Sequence, residues 1–287
     1  MMMYNFRSVR GGVFMFRSKT VVITGGSSGV GLEMALRLAK RGASLALAAR
    51  GEDKLEQACE AVRDAAPHAV VQTFSCDVTD NHAVENLFRD IGESTLGPPH
   101  MLMNSAGVLI ENYFEKLPLD VFRKTMDINF FGTLHCIRSA LPAFREHGGG
   151  RIINMSSLSG VMGVFGYSAY CSSKYAVKGL TDTLRVELRP QNIRFHVVCP
   201  PEFDSPMVRE MDKTRTPENL AMAHMLPVLS AAQVADEIMA GMRADRYEIV
   251  PGAIPRAAYF LDKLLPGPSR ALTDMAVRKS YRGPYKA

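Results

Sequence analysis

One unit recurs along this chain and limits its fold more than any other feature: a short β-branched apolar run, a turn, then a segment with apolar residues at helical spacing. The runs are 20–24, 44–49, 70–75, 101–104, 151–155, 194–199 and 247–250. Between them lie segments such as the one carrying Leu32, Ala35, Leu36 and Ala39, and another carrying Val177, Leu180, Leu184 and Leu188. Apolar spacing of three and four residues marks a helix with one buried face. Strands that alternate with helices are joined by right-handed crossovers, which makes neighbouring strands parallel and covers both faces of the sheet. The expected fold is therefore α/β: a doubly wound, mostly or fully parallel seven-stranded sheet with helices on both faces.

No repeat, low-complexity tract or linker interrupts residues 19–250, so that span reads as one domain. Residues 1–18 read as a flexible leader, and residues 251–287 as a basic, amphipathic extension. Gly148, Gly149 and Gly150 read as the turn from a helix into the fifth strand. With 47% hydrophobic residues among 287, the chain buries a full core. Its five cysteines, Cys59, Cys76, Cys136, Cys171 and Cys199, form no C-x-x-C pair. That pattern argues against a disulfide framework and against a zinc site, so no metal is expected and a reducing cytoplasm is the expected compartment. No apolar run is long enough to span a bilayer.

The net charge of +5 is unevenly placed. Residues 1–19 hold Arg7, Arg10, Arg17 and Lys19 with no acid, and residues 251–287 hold seven cations against Asp262 and Asp274. The body between is mildly acidic, which excludes nucleic acid as its partner. The first 18 residues lack the apolar length of a secretory signal and are too poor in serine for a transit peptide.

Thr24-Gly25-Gly26-Ser27-Ser28-Gly29-Val30-Gly31 follows the first strand and opens a helix. A dinucleotide phosphate needs that context: glycine lets the backbone approach the pyrophosphate, and free N–H groups at the helix start stabilise its charge. The spacing is T-G-x-x-x-G-x-G rather than G-x-G-x-x-G, and no Gly-Lys-Ser/Thr follows, which disfavours a nucleoside-triphosphate loop. A ligand-free glycine turn is the plainer alternative. The second strand ends in Ala49-Arg50, where an NAD site offers an acid to the ribose hydroxyls. A neutral residue followed by a guanidinium suits the 2′-phosphate of NADP, so NADP(H) is favoured over NAD(H).

Tyr170 and Lys174 are four residues apart and share a helix face. A phenol titrates near 10 and needs a nearby cation to serve as an acid or base at neutral pH; Lys174 supplies one. The fifth strand delivers Ser156 and Ser157 at its C-terminal end, where open α/β sheets place ligands, with Ser157 thirteen residues before Tyr170. Asn104-Ser105-Ala106-Gly107 ends the fourth strand in the same way, and Asn129 falls inside a long helix expected over about 119–147.

Taken together, these motifs resemble the short-chain dehydrogenase/reductase family over residues 19 to about 250. The resemblance implies a Rossmann-type domain and hydride transfer between a nicotinamide and a carbonyl or alcohol. It carries Ser157, Tyr170, Lys174 and Asn129 over as the catalytic set. Tyr170 is then the proton donor, Ser157 the holder of the carbonyl oxygen, Lys174 the group that lowers the phenol pKa and bonds the ribose, and Asn129 the holder of a water. It also carries over Gly25, Ser27, Ser28, Gly29, Val30 and Gly31 as the phosphate turn, Arg50 at the 2′-phosphate, Asp77 and Val78 at the adenine, Ala106 and Gly107 as cofactor contacts, and Asn104 as the residue steadying the central sheet near the cofactor. Pro200 and Ser205 follow the sixth strand, Ser205 standing where the family has a threonine. Two positions depart from the family pattern: Ser105 replaces an asparagine, and Pro201 replaces a glycine and removes an N–H.

The stretch Val161 to Phe165, with Tyr167, Phe203, Met207, Met211, Met222 and Met225, is rich in aromatic and methionine side chains, which adapt to irregular apolar shapes. A bulky hydrophobic carbonyl substrate is expected. Within the family, Pro200-Pro201-Glu202-Phe203-Asp204-Ser205-Pro206 and Gly163-Val164-Phe165-Gly166-Tyr167 are similar to the group of 3-ketodihydrosphingosine reductases, which implies a 3-keto sphingoid base. This chain departs from the eukaryotic members of that group in showing no leading transmembrane helix, so a reductase of another bulky hydrophobic ketone or alcohol stays open. So does a non-catalytic NADPH-binding sensor. A serine hydrolase is disfavoured, because neither Ser157 nor Ser173 sits in a G-x-S-x-G elbow. A homodimer or homotetramer is expected. The segment around Tyr259, Phe260, Leu261, Leu264 and Leu265 has three readings: peripheral contact with an anionic membrane, a cap on the substrate pocket, or packing on a partner subunit.

Overall fold

The computed structural model describes residues 16–281, so residues 1–15 of the expected leader and 282–287 of the extension lie outside the described residues. Seven parallel strands form the main sheet: β1 (Thr20–Thr24), β2 (Ser44–Ala49), β3 (Val71–Ser75), β4 (Met101–Asn104), β5 (Gly150–Met155), β6 (Ile193–Val198) and β9 (Glu248–Ile249). Their order is β3-β2-β1-β4-β5-β6-β9. Every residue of β1 is buried, as a central strand covered on both faces must be. The expected strands are all present, with ends shifted by a residue or two; Val70, for example, is exposed just before β3.

Helices α1 (Gly29–Ala39), α2 (Glu52–Ala65) and α9 (Ala231–Arg243) cover one face, burying Met34, Leu38, Val62, Val234 and Ile238 against β1 and β2. Phe16 joins this layer, fully buried. On the other face lie α3 (Asn81–Glu93), α5 (Gly132–Glu146) and α6 (Ser168–Leu188), which bury Leu87, Cys136, Phe144 and Leu188. The long helix expected over 119–147 is unbroken along the chain but not uniform in pitch. It runs as α4 (Leu119–Met126), a π-helical stretch at Asp127–Phe131, and α5. The wider π turn holds Asn129, and such turns cluster at functional sites.

Two short strands absent from the sequence reading, β7 (Phe203–Asp204) and β8 (Leu229–Ser230), pair in parallel beyond the end of β6. Between them run α7 (Pro206–Met211) and α8 (Pro217–Ala223). The C-terminal extension forms α10 (Ala253–Leu264) and α11 (Pro266–Ser280). Tyr259 fixes α10 to the sheet edge: its ring is fully buried with Val197, Cys199 and Val250. Lys263 donates to Glu248 Oε1 of β9 at 2.8 Å. Among the described residues, no helix is long and apolar enough to cross a membrane.

Candidate active site

The strand order reverses between β1 and β4, and ligands of open α/β sheets bind where that crevice opens at the strands' C-terminal ends. Gly25 lies there with φ +66°, and a Cβ on it would come within 2.8 Å of the Ala106 backbone. A Cβ on Gly31 would press to 2.3 Å of the Gly25 carbonyl oxygen, so the turn closes only with glycine at both places. Thr24 Oγ1 accepts from the N–H groups of Ser105 and Ala106 at 3.2 and 3.3 Å and ties the turn to the end of β4. No side chain caps the N-terminus of α1 and no acid sits in its first turn, so its N–H groups face outward to receive an anion. These residues fit a dinucleotide phosphate.

Below the turn, the end of β4 meets α5 and α6. Asn129 is buried; its Oδ1 accepts from Val108 N at 2.8 Å, and its Nδ2 donates to Val108 O at 3.0 Å and Ser173 Oγ at 2.9 Å. Gly107 forms the floor: a Cβ there would stand 3.1 Å from Asn129 Oδ1 and 3.6 Å from Lys174 Nζ. Asn104 lies behind this wall. Its amide donates to Asn154 Oδ1 at 2.8 Å, and Asn154 donates to Thr181 Oγ1 at 2.9 Å, a buried polar rung linking β4, β5 and α6.

Ser157, Tyr170 and Lys174 line a single cavity of about 430 Å³ together with Gly25, Ser28, Gly29 and Val30. Ala106, Gly107, Pro200 and Ser205 complete that side of the wall. Ser27, Gly31, Arg50, Asp77 and Val78 are not among its lining residues. Arg50 is exposed, its Nη1 3.9 Å from Asp77 Oδ2. Asp77 Oδ1 accepts from Thr79 N at 3.0 Å. Val78 is buried beside Gly132. The Ser205 hydroxyl caps α7 by accepting from Val208 N at 3.3 Å.

The electrostatics differ from the sequence expectation. Lys174 donates to Met155 O at 2.9 Å, and its Nζ lies over the Tyr170 ring, 5.6 Å from its centre. Burial lowers Lys174 to about 8. Burial also holds the Tyr170 phenol above its ordinary value, with the Ser157 hydroxyl opposing. The expected depression of the phenol is thus absent in this state, because loss of water is the largest influence on it and the Ser157 hydroxyl only opposes it.

Two further groups that sequence reasoning missed shape the site, the Arg215 cluster and the bonds of Thr216 and Tyr113. Arg215 bonds Glu202 and Asp212, Thr216 bonds Glu111 Oε2 through its N–H at 3.2 Å, and Tyr113 donates to Glu218 Oε2 at 3.0 Å. With Asn219 Nδ2 donating to Phe165 O at 2.6 Å, they lock α8 down over the cavity. The bonds to Glu111, Glu218 and Phe165 join residues 54 to 105 apart in the chain, and no periodicity marks them. Helices α10 and α11, for which a cap on the substrate pocket was one of three readings, contribute Ala258, Leu261, Ser269, Leu272 and Thr273 to the wall. Of the expected substrate residues, Met162, Val164, Tyr167, Phe203, Met207, Met222 and Met225 line the cavity. Met211 stands behind them, accepting from the Tyr167 hydroxyl at 3.1 Å.

Fold and site together are those of a nicotinamide-dependent oxidoreductase, and residues 19–216 match the family described as short chain dehydrogenase. The chain belongs to that family. It is 39% identical to the 3-ketodihydrosphingosine reductase of Mus musculus over 225 residues, 76% of this chain and 67% of that one. It is 34% identical to the 3-ketodihydrosphingosine reductase of Dictyostelium discoideum over 279 residues, 88% of this chain and 84% of the other. The crystal structure of levodione reductase superposes with a TM-score of 0.77 at 31% identity, covering 84% of this chain and 99% of that one.

Proposed function

We propose that the chain reduces the ketone of a long-chain 3-keto sphingoid base with NADPH, Tyr170 giving the proton. The observation that carries this reading is one cavity in which Ser157, Tyr170 and Lys174 stand beside the α1 N-terminus while the rest of the wall is largely methionine and apolar. The bound cofactor supplies the hydride. The Ser157 hydroxyl donates to the carbonyl oxygen and orients it. As negative charge gathers on that oxygen, the Tyr170 hydroxyl passes its proton to it. The Lys174 ammonium then favours the phenolate left behind, and the Met155 carbonyl, accepting from Nζ at 2.9 Å, keeps that ammonium in place. Ala49 and the exposed Arg50 support the preference for the 2′-phosphate.

The same reading places α10 and α11 on the surface of an anionic bilayer, from which a lipid-like ketone enters. Phe260, Leu261, Leu264, Leu265, Leu272 and Met275 are all exposed, and Leu261 and Leu272 also line the cavity. Helix α11 adds Arg270, Arg278 and Lys279 against the single acid Asp274. Apolar side chains ringed by cations suit an anionic headgroup layer.

The test is NADPH consumption over 3-keto bases of increasing chain length, repeated with NADH. The expected result is a kcat/KM that rises with chain length and is at least about tenfold higher with NADPH, the size of one charge-assisted contact. No consumption with any ketone would sink the reading in favour of a cofactor-binding sensor.

A further inference from the structure

The cavity wall is nearly free of charge: of its described lining residues, only Lys174, Glu202 and Arg215 are ionic. Lys174 faces Tyr170, whereas the other two form a separate cluster that the proposed reaction does not use. Backbone bonds tie the segment carrying Glu202 to the turn that carries Ser157. The carbonyl of Pro200, two residues earlier, accepts from Leu158 N at 2.9 Å, and Leu158 follows Ser157. On the other side, the Glu202 carbonyl accepts from Leu229 N at 3.3 Å, where β7 meets β8.

Arg215 donates to both oxygens of Glu202, at 3.0 and 2.5 Å, to Asp212 Oδ1 at 2.9 Å, and through Nε to Asn219 Oδ1 at 2.7 Å. One guanidinium therefore serves two carboxylates, and the cluster keeps one negative charge. The Arg215 side chain is 6% exposed and that of Glu202 19%, so the charge at Glu202 is poorly screened, whereas Asp212 is 49% exposed. Each carboxylate oxygen carries two lone-pair sites, so one bond from Arg215 leaves acceptor capacity toward the cavity. A cation arriving there is stabilised and a carboxylate is repelled.

We propose that Glu202 is a specificity-determining residue that receives the amino group of a 2-amino-3-ketone while Ser157 and Tyr170 hold the neighbouring carbonyl. The proposal rests on the reading of the substrate as a keto base. In such a molecule the nitrogen is borne on the carbon next to the carbonyl, so it must lie within a few ångström of Ser157. Glu202 is the one carboxylate among the described lining residues on that wall. A clamp that only held α8 closed would affect all ketones alike. A receptor for the amine separates those that carry it from those that do not.

The experiment measures kcat/KM with NADPH for a 2-amino-3-ketone and for the ketone of equal length without the amine, in the wild type, Glu202→Gln and Glu202→Asp. The wild type is expected to favour the amino ketone by about tenfold or more, through KM, as for a hydrogen bond to a charged group. Glu202→Gln brings the ratio toward one and Glu202→Asp restores part of it. Asp212→Asn, which removes the excess charge while keeping the Glu202 pair with Arg215, lowers the ratio less, and it carries the test if Glu202→Gln does not fold. An unchanged ratio in the variants, even with both activities reduced, overturns the proposal and leaves Glu202 a clamp. Equal use of both ketones by the wild type overturns it too, while the reading of a hydrophobic-ketone reductase stands. Turnover of neither ketone removes that reading and the proposal together.

Discussion

Lys174 is the side chain whose chemistry depends most on where the fold puts it. Buried beside Gly107 and bonded to Met155 O at 2.9 Å, it titrates at about 8 instead of its ordinary 10.5. A lysine in that state is charged below about pH 8 and neutral above it. The kcat/KM for NADPH, which reports the free enzyme, is therefore expected to fall as pH rises through about 8. Lys174→Arg, charged throughout, is expected to move that limb to higher pH. A profile flat across this range in the wild type would contradict the assignment. The pairing of Tyr170 with Lys174 was legible in the sequence because a spacing of four fixes two residues on one helix face. The direction of the Tyr170 shift was not, because burial sets it, and a spacing along one helix does not report burial.

At the scale of elements, strands and helices of the main sheet were legible because each buries a continuous run or a regular stripe, and Val177 and Leu188 of α6 do so as their spacing requires. Asn129 was legible by motif, but the π turn that holds it was not, since no residue type marks such a turn. The lock on α8 was equally silent: Glu111, Thr216 and Tyr113 fall in no motif, and only the fold brings them to their partners. For α10 and α11, the sequence left three roles open, and the structure gives the pair a share of the cavity wall. Leu264 and Leu265 are exposed and lie outside that wall, so replacing both with glutamate is expected to cost under about 1 kcal/mol of stability. The same change is expected to abolish most flotation with vesicles containing phosphatidylserine. Flotation equal to that of the wild type would remove the membrane role while leaving the cavity wall as it is.

For the whole molecule, stability and catalysis are set in different places. His196 is buried in β6 away from the cavity, its Nδ1 donating to Arg246 O at 2.5 Å and its Nε2 accepting from Arg151 Nη1 at 2.7 Å. Protonation would set two donors against each other, and burial with the Arg151 charge lowers its pKa to about 4. His100, stacked on His147 at 4.0 Å, is lowered to about 4 mainly by burial. Both fall from 6.5, so between about pH 6.5 and 4 the unfolded chain binds more protons than the folded one. Stability is full above that window and is lost as pH falls through it. The melting temperature is expected to drop by several degrees between pH 7 and 5, and less in His196→Gln; a constant value would contradict this. The central claim is that one phenol on α6 delivers the proton to a ketone in the cavity that the glycine turn and the C-terminal helices enclose. Its most direct measurement is the single-turnover rate of NADPH oxidation by a long-chain 3-keto sphingoid base, in the wild type and in Tyr170→Phe, with NADPH binding followed in both. The account predicts a 3-hydroxy product from the wild type, and at least ~100-fold slower oxidation in the variant with binding retained. Equal rates in the two would contradict it.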